Sequence, residues 1–204
     1  MDIAIASLTL DVSDPAASQS FYETGLGVDS QVRARTADTP ATGFRGFTIS
    51  LVVGQPSTVD SLLQTALVGG AKTLKPAEKG LWGYGAVVQD ADGVIWKLAT
   101  SAKKDKGPAT RKIDDVVLLI GASDMGASKR FYVGHGLSVK RSFPGRYVEF
   151  DASAGDIKLA LYPGRAGLAK DAGISPDGDG PHGIAVNSGA GHFSDPDGFS
   201  WEAG

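Results

Sequence analysis

The chain carries the same two-part signature twice, and any fold proposed for it must place both copies equivalently. The first part is Ser13-Asp14-Pro15-Ala16-Ala17-Ser18-Gln19-Ser20-Phe21-Tyr22, which returns as Ser123-Asp124-Met125-Gly126-Ala127-Ser128-Lys129-Arg130-Phe131-Tyr132. Each copy is followed by a Gly-Leu pair, Gly25-Leu26 and Gly136-Leu137. The second part is Asp90-Ala91-Asp92-Gly93-Val94-Ile95-Trp96-Lys97, which returns as Asp195-Pro196-Asp197-Gly198-Phe199-Ser200-Trp201-Glu202. Two features in the same order at similar offsets divide the 204 residues into a first module at 1–100, a linker at 101–111 and a shorter second module at 112–204. The linker is polar and contains Gly107-Pro108, a break signal. Its Lys103, Lys104 and Lys106 read as a solvated linker rather than a basic patch.

Composition removes whole classes of function. The chain has no cysteine, which excludes a disulfide framework, a thiolate zinc site, an iron–sulfur cluster and a cysteine nucleophile. Its 20 Lys+Arg against 23 Asp+Glu leave a net charge of −3, without the basic field that a nucleic-acid or anionic-membrane surface needs. The longest apolar runs, such as 116–120, fall far short of the roughly 20 residues of a membrane span. The opening residues lack a basic n-region, so the expected location is the cytoplasm. No partner of nucleic-acid or membrane type is expected, and a monomer or homodimer is.

Periodicity gives the elements. Residues 3–12 alternate, with Leu8, Leu10 and Val12 on one face and Ser7, Thr9 and Asp11 on the other, as in a half-buried strand. Asp14 is an N-cap with Pro15 at the first helical position, and the helix runs to about Thr24. Strands follow at 31–35 and 47–53, a helix at 58–68 ended by Gly69-Gly70, and strands at 84–88 and 94–99 around the Asp-Ala-Asp-Gly turn. The second module repeats this with a strand at 113–120, a helix at 124–133, and strands at 146–150, 157–162, 182–186, 191–193 and 199–202. It has no counterpart of the 58–68 helix. Its Gly-, Asp- and Pro-rich segment at 164–181 is expected to be a loop with at most one helical turn around Leu168.

A strand, a Ser-Asp-capped helix ending in Phe-Tyr and Gly-Leu, several strands and a closing Asp-x-Asp-Gly hairpin, twice over, resembles the vicinal oxygen chelate superfamily. Its members include glyoxalase I, bleomycin-resistance proteins and extradiol dioxygenases. The resemblance implies an α+β fold of two tandem βαβββ modules whose strands curl around a shared cleft. It also implies that metal-using members place ligands on the first and last strands of each module. Carried over position by position, these fall on Ser7, on Lys97, on Glu202, and on either Asp115 or Val117, which share a strand face with Leu119.

That set departs from a metal site. It contains no histidine, and an ammonium at Lys97 neither coordinates nor tolerates a cation. The expected cofactor is therefore none, with Lys97 paired to Glu202 and Asp115 across the cleft, or else with these side chains in solvent. The first functional reading is metal-independent binding of a small, largely apolar molecule, as drug-sequestering relatives do. Val117 and Leu119 would supply apolar lining, Ser7, Thr9, Asp11, Lys97, Asp115 and Glu202 polar contacts, and Tyr147 and Tyr162 further aromatic walls. The alternative is a divalent-metal lyase, isomerase or dioxygenase with Asp115 and Glu202 as ligands; a metal-free enzyme would use Glu202 as its catalytic base. A third reading, a chemically silent partner-binding module, predicts a filled cleft.

The remaining side chains divide between packing and the ligand mouth. His135 reads as a helix-end residue, His182 as a strand entry, and His192 as the histidine nearest the last turn. Trp96 and Trp201 should face the helices, while Trp82 and Tyr84 sit beside mobile glycines at a possible ligand mouth.

Overall fold

Asp14 and Asp124 begin the first helix of each module in the same way. Each accepts two backbone N–H bonds, from Ala16 and Ala17 in one copy and from Gly126 and Ala127 in the other. A computed structural model describes residues 4–81, 83–153 and 155–204. The first module runs β1 (Ile5–Val12), α1 (Pro15–Ser20, continued by a π-helical turn at Phe21–Leu26), β2 (Val32–Thr36), β3 (Thr42–Gly43), β4 (Phe47–Val53), α2 (Pro56–Val68), β5 (Lys72–Gly80), β6 (Gly83–Gln89) and β7 (Ile95–Thr100). The second runs β8 (Ile113–Ala122), α3 (Met125–Gly134), β9 (Val139–Phe143), β10 (Tyr147–Phe150), β11 (Lys158–Pro163), α4 (Arg165–Ala172), β12 (Gly178–Asp179), β13 (Ile184–Ser188), β14 (Phe193–Ser194) and β15 (Ser200–Ala203).

The fold is α+β, with two modules and curled sheets, and its sheets mix strands from both modules. An eight-stranded sheet has the order β5-β6-β7-β4-β8-β11-β10-β9, and a five-stranded sheet the order β14-β15-β13-β1-β2. The large sheet is two complete βαβββ units set edge to edge. β4 is parallel to β7, β8 is parallel to β11, and β4 and β8 join them antiparallel. The small sheet is what remains: β1 from the start of the first module beside β13 and β15 from the end of the second. Here β2 lies directly against β1, with no counterparts of β10 and β11 among the described residues.

One apolar cluster joins the core faces of both sheets to α1, α2 and α3. Leu8, Leu10 and Val12, as the alternation predicts, point into it, as do Ile49, Leu51, Leu118 and Ile120. Trp96 and Trp201 are buried there, Trp96 among Phe21 and Tyr22, Trp201 among Tyr132 and Phe193. Burying such a ring removes enough apolar surface to stabilise the fold by about 2–3 kcal/mol each.

The two halves of the repeated signature bond to each other. Asp92 Oδ1 accepts from the Ser13 N–H (2.8 Å) and hydroxyl (2.7 Å), and its Oδ2 accepts from Ser18 Oγ (2.6 Å). Asp197 does the same with Ser123 (2.7 and 2.5 Å) and Ser128 (2.8 Å). The second Asp of each hairpin turn therefore clamps the start of its own module's helix. Because that helix and that hairpin lie against different sheets, the clamp ties the sheets together. The first Asp organises the turn: Asp90 accepts from the Asp92 and Val94 N–H groups, and Asp195 from those of Asp197 and Phe199.

Five elements differ from the sequence expectation, two of them the two-residue strands β3 and β12, which pair with each other. The segment expected as a loop at 164–181 contains the helix α4, whose Leu168, Ala169 and Ala172 are fully buried. β5 and β9 went unexpected because they are the two outer edges of the large sheet, with mostly exposed side chains and no clear alternation. β5 also holds Pro76, which an edge strand tolerates.

Candidate functional site

The side chains expected around one cleft fall on the outer faces of two different sheets. Ser7, Thr9, Asp11 and Glu202 lie on the five-stranded sheet, and Lys97, Asp115, Val117, Leu119, Tyr147 and Tyr162 on the eight-stranded sheet. An ion pair of Lys97 with Glu202 and Asp115 does not form. Lys97 pairs with Asp171 on α4, Lys158 with Asp115 (2.6 Å), and Glu202 with Arg35 (3.2 Å). Asp171 and Arg35 were missed for different reasons: Asp171 sits in the segment that reads as a loop, and Arg35 in a short strand whose partner strand the sequence does not reveal.

On the large sheet, register lines up one row across the four central strands. Ser50 on β4 stands opposite Lys97 on β7 and Val117 on β8, and Val117 stands opposite Lys158 on β11. Of the two positions left open on β8, Val117 is the one in this row, while Asp115 lies one row nearer the strand start, opposite Val52. A second row, toward the other end, contains Thr48, Leu119 and Ala160.

α4 covers that second row. Its Leu168, Ala169 and Ala172 pack with Ile95, Leu119 and Ala160, and Tyr147 and Tyr162 close the side. The Thr48 hydroxyl is buried at this face with no hydrogen-bond partner among the described residues. Arg165 fastens the start of the helix by donating to the carbonyls of Phe44 and Pro176. At the other end the Lys75 ammonium donates to the Asp171 carbonyl (2.6 Å). Gly173, with φ +81°, lets the chain leave; a Cβ there would sit 2.9 Å from Lys75 Cε.

The rest of the cup is open. A pocket of about 260 Å³ lies over β5, β6 and β7, walled by Leu81, Val87, Ala99 and Thr100, with Tyr84 and the Lys97–Asp171 pair at its polar side. Tyr84 donates to Asp60 (2.7 Å) and lines the pocket, as its place beside the glycines suggests. Trp82 lies outside the described residues. A further opening of about 590 Å³ continues past Thr100 between the linker lysines and Asp114 and Asp115.

The difference between the two halves lies in where the chain goes after the fourth strand of each unit. After β11 it folds back as α4. After β7 it turns away and is pinned to the start of α2, where Gln55 donates to the carbonyls of Gly107 and Pro108 and Asp105 accepts from the Ser57 N–H.

The outer face of the small sheet is polar and closes on itself. Asn187 donates to Ser7 Oγ (3.1 Å) and Thr9 Oγ1 (2.9 Å), and Arg35 bridges Asp11 (2.9 Å) and Glu202. A pocket of about 240 Å³ adjoins Arg35 and Glu202.

Neither face fits the divalent ion that the resemblance implies for metal-using members. The row on the large sheet reads Lys, Ser, Val, Lys, and on the small sheet a guanidinium already occupies the space between the two carboxylates. Among the described residues no three His, Cys, Asp or Glu side chains gather.

His135 and His182 serve structure. His135 Nδ1 meets the Phe131 carbonyl (2.9 Å), and its ring packs at a tilt against Phe131 and Phe193. His182 sits between the carbonyls of Arg45 (2.5 Å) and Asp197 (2.9 Å), stacked on Phe199. His192 is exposed. Arg45, not singled out by the sequence, is buried and donates to the carbonyls of Asp11, Gly183 and Asp92.

Solved structures share this architecture. Glyoxalase I from Zea mays superposes over 98% of this chain and 91% of its own, with a TM-score of 0.62 at 15% identity. A putative dioxygenase from Bacillus subtilis superposes over 96% of this chain and 71% of its own, with a TM-score of 0.51 at 14% identity. The chain has the fold of the vicinal oxygen chelate superfamily. Neither a protein-family model nor a curated protein matches the sequence. Among the described residues no helix is long and apolar enough to cross a membrane.

Proposed function

We propose that the protein binds a small, largely apolar molecule in the open half of the large-sheet cup, without a metal ion, in the cytoplasm and as a monomer or homodimer. The observation that carries this reading is the row of Lys97, Ser50, Val117 and Lys158. It occupies the floor where a chelating member would present ligands, and it offers ammonium groups and an apolar side chain in their place. The adjoining pocket of about 260 Å³ lies just below the roughly 300–1,000 Å³ of drug-sized sites, so the ligand is small. Small side chains at Gly85 and Ala99 leave the floor accessible, and Leu81 and Val87 supply apolar walls.

Two measurements test this. Metal content by ICP-MS is taken on protein purified without a metal-affinity step, and binding of 1-naphthalenemethanol is measured by calorimetry in EDTA. The expected results are no stoichiometric divalent ion, saturable binding in EDTA, and loss of binding in Ala99→Trp, whose side chain would fill the pocket that Ala99 lines. A bound stoichiometric ion, or binding that EDTA abolishes, contradicts the proposal.

A further inference from the structure

Lys97 has a partner that does not belong to the sheet. Its ammonium stands on the floor of the open pocket, and the carboxylate that neutralises it, Asp171, comes down from α4. Both side chains are partly exposed, at 23% for Lys97 and 38% for Asp171. The helix does not depend on this pair to stay in place. It is held by Leu168, Ala169 and Ala172 over the neighbouring row, by Arg165 at its start and by the Lys75 bond to the Asp171 carbonyl at its end. The Asp171 side chain can therefore rotate away from Lys97 while α4 remains seated.

From this geometry we infer that the ligand of the cup is an organic anion, and that Asp171 is a built-in competitor for it. The inference rests on the cup being the ligand site. A carboxylate, sulfonate or phosphate group takes the place of the Asp171 carboxylate at Lys97, and its apolar body lies over Ala99 and Val87 toward Leu81. An ammonium is a compact point charge that accepts oxyanions of varied shape, so Lys97 selects for charge more than for geometry. No covalent step is involved. The incoming anion keeps Lys97 paired, the displaced Asp171 carboxylate turns to solvent at the pocket edge, and the desolvation of Lys97 has already been met by folding.

The test compares 1-naphthoate with its neutral counterpart 1-naphthalenemethanol on the full chain, by calorimetry at low salt. The proteins are the wild type, Asp171→Asn and Lys97→Gln, each checked for the wild-type circular dichroism spectrum. The expected results are naphthoate binding about tenfold tighter than the alcohol, a further gain of about tenfold for naphthoate alone in Asp171→Asn, and equal affinities for the two probes in Lys97→Gln. If both probes bind equally and neither substitution changes their ratio, the anion inference is overturned while the cup stands as the ligand site. If neither probe binds any of the three proteins, the site itself is wrong and the inference falls with it.

Discussion

The two sheets of this molecule are built from the same kind of strands and have become different surfaces. The large sheet has both of its βαβββ units complete, and its outer face carries the Lys97, Ser50, Val117 and Lys158 row beside a largely apolar row that α4 roofs, leaving the rest open. Among the described residues the small sheet lacks the strands that would follow β2, and the helix and strand that would separate β13 from β14. Its outer face is a row of hydroxyl, amide, carboxylate and guanidinium groups that bond one another. The eight-stranded sheet carries a helix and an open pocket on its outer face, whereas the outer face of the five-stranded sheet meets water and is polar. Its free edge is managed as well. The Gln19 side chain accepts from the Ala34 N–H (3.0 Å) and reaches toward the Val32 carbonyl, imitating a neighbouring strand along β2.

The largest expected effect separates the roofed face from the bare one. Leu168→Ala removes the fully buried peg of α4 and should cost about 2–5 kcal/mol in chemical denaturation. Thr9→Ala on the small sheet's outer face should cost less than about 1 kcal/mol. Equal costs would mean that the two faces are not distinct in packing.

A second contrast concerns pH. Burial pushes the Asp90 carboxyl up to about 6, against bonds from Trp96 and Val94 that pull it down. Below about pH 4 the group is protonated in both folded and unfolded chains, and its contribution is fully present. As pH rises from about 4 through 6 the unfolded chain gives up the proton first, so this contribution to stability falls by roughly 3 kcal/mol and then levels off. Burial raises Asp195 in the other module too, so its contribution has the same sign. Asp90→Asn lacks the Asp90 component. The melting temperature of the variant relative to wild type should climb between pH 4 and 7, and a constant difference would show that Asp90 is not the cause.

A finer contrast lies in how each module spends one carboxylate oxygen. Asp90 Oδ2 accepts from Trp96 Nε1 (2.9 Å), whereas Asp195 Oδ2 accepts from Tyr132; among the described residues the buried Tyr22 hydroxyl and Trp201 Nε1 then have no hydrogen-bond partner. Trp96→Phe should therefore cost about 1–3 kcal/mol more than Trp201→Phe, and Tyr132→Phe about 1–3 kcal/mol more than Tyr22→Phe. The reverse order in either pair of unfolding curves would contradict the assignment.

Much of this was legible in the sequence, and the illegible part has physical causes. The Ser-Asp and Asp-x-Asp-Gly segments recur together in the sequence because the two bond each other. Alternation in β1 and around Trp96 and Trp201 put the right side chains in the core. Strand pairing was not legible. β1 pairs with β13, and β4 with β8, across a large part of the chain, so nothing local told that Glu202 and Lys97 would stand on different sheets. The helix α4 was hidden because its side chains are mostly small or polar, and it is fixed by the cup it covers rather than by its own pattern.

The smallest effect is expected at the small sheet. Arg35→Ala breaks two partly exposed ion pairs and should cost less than about 1 kcal/mol, with the loss shrinking further at high salt. A loss above about 2 kcal/mol that salt does not reduce would show Arg35 holding the modules together.

The most direct test of the central claim is a backbone amide NMR titration with 1-naphthoate, recorded on the full chain with assigned resonances. The account predicts shifts concentrated at Val87, Lys97, Ala99 and Asp171 on the large-sheet cup, with Ser7, Asp11, Asn187 and Glu202 unmoved. Shifts at those four small-sheet residues with the cup unmoved would contradict it.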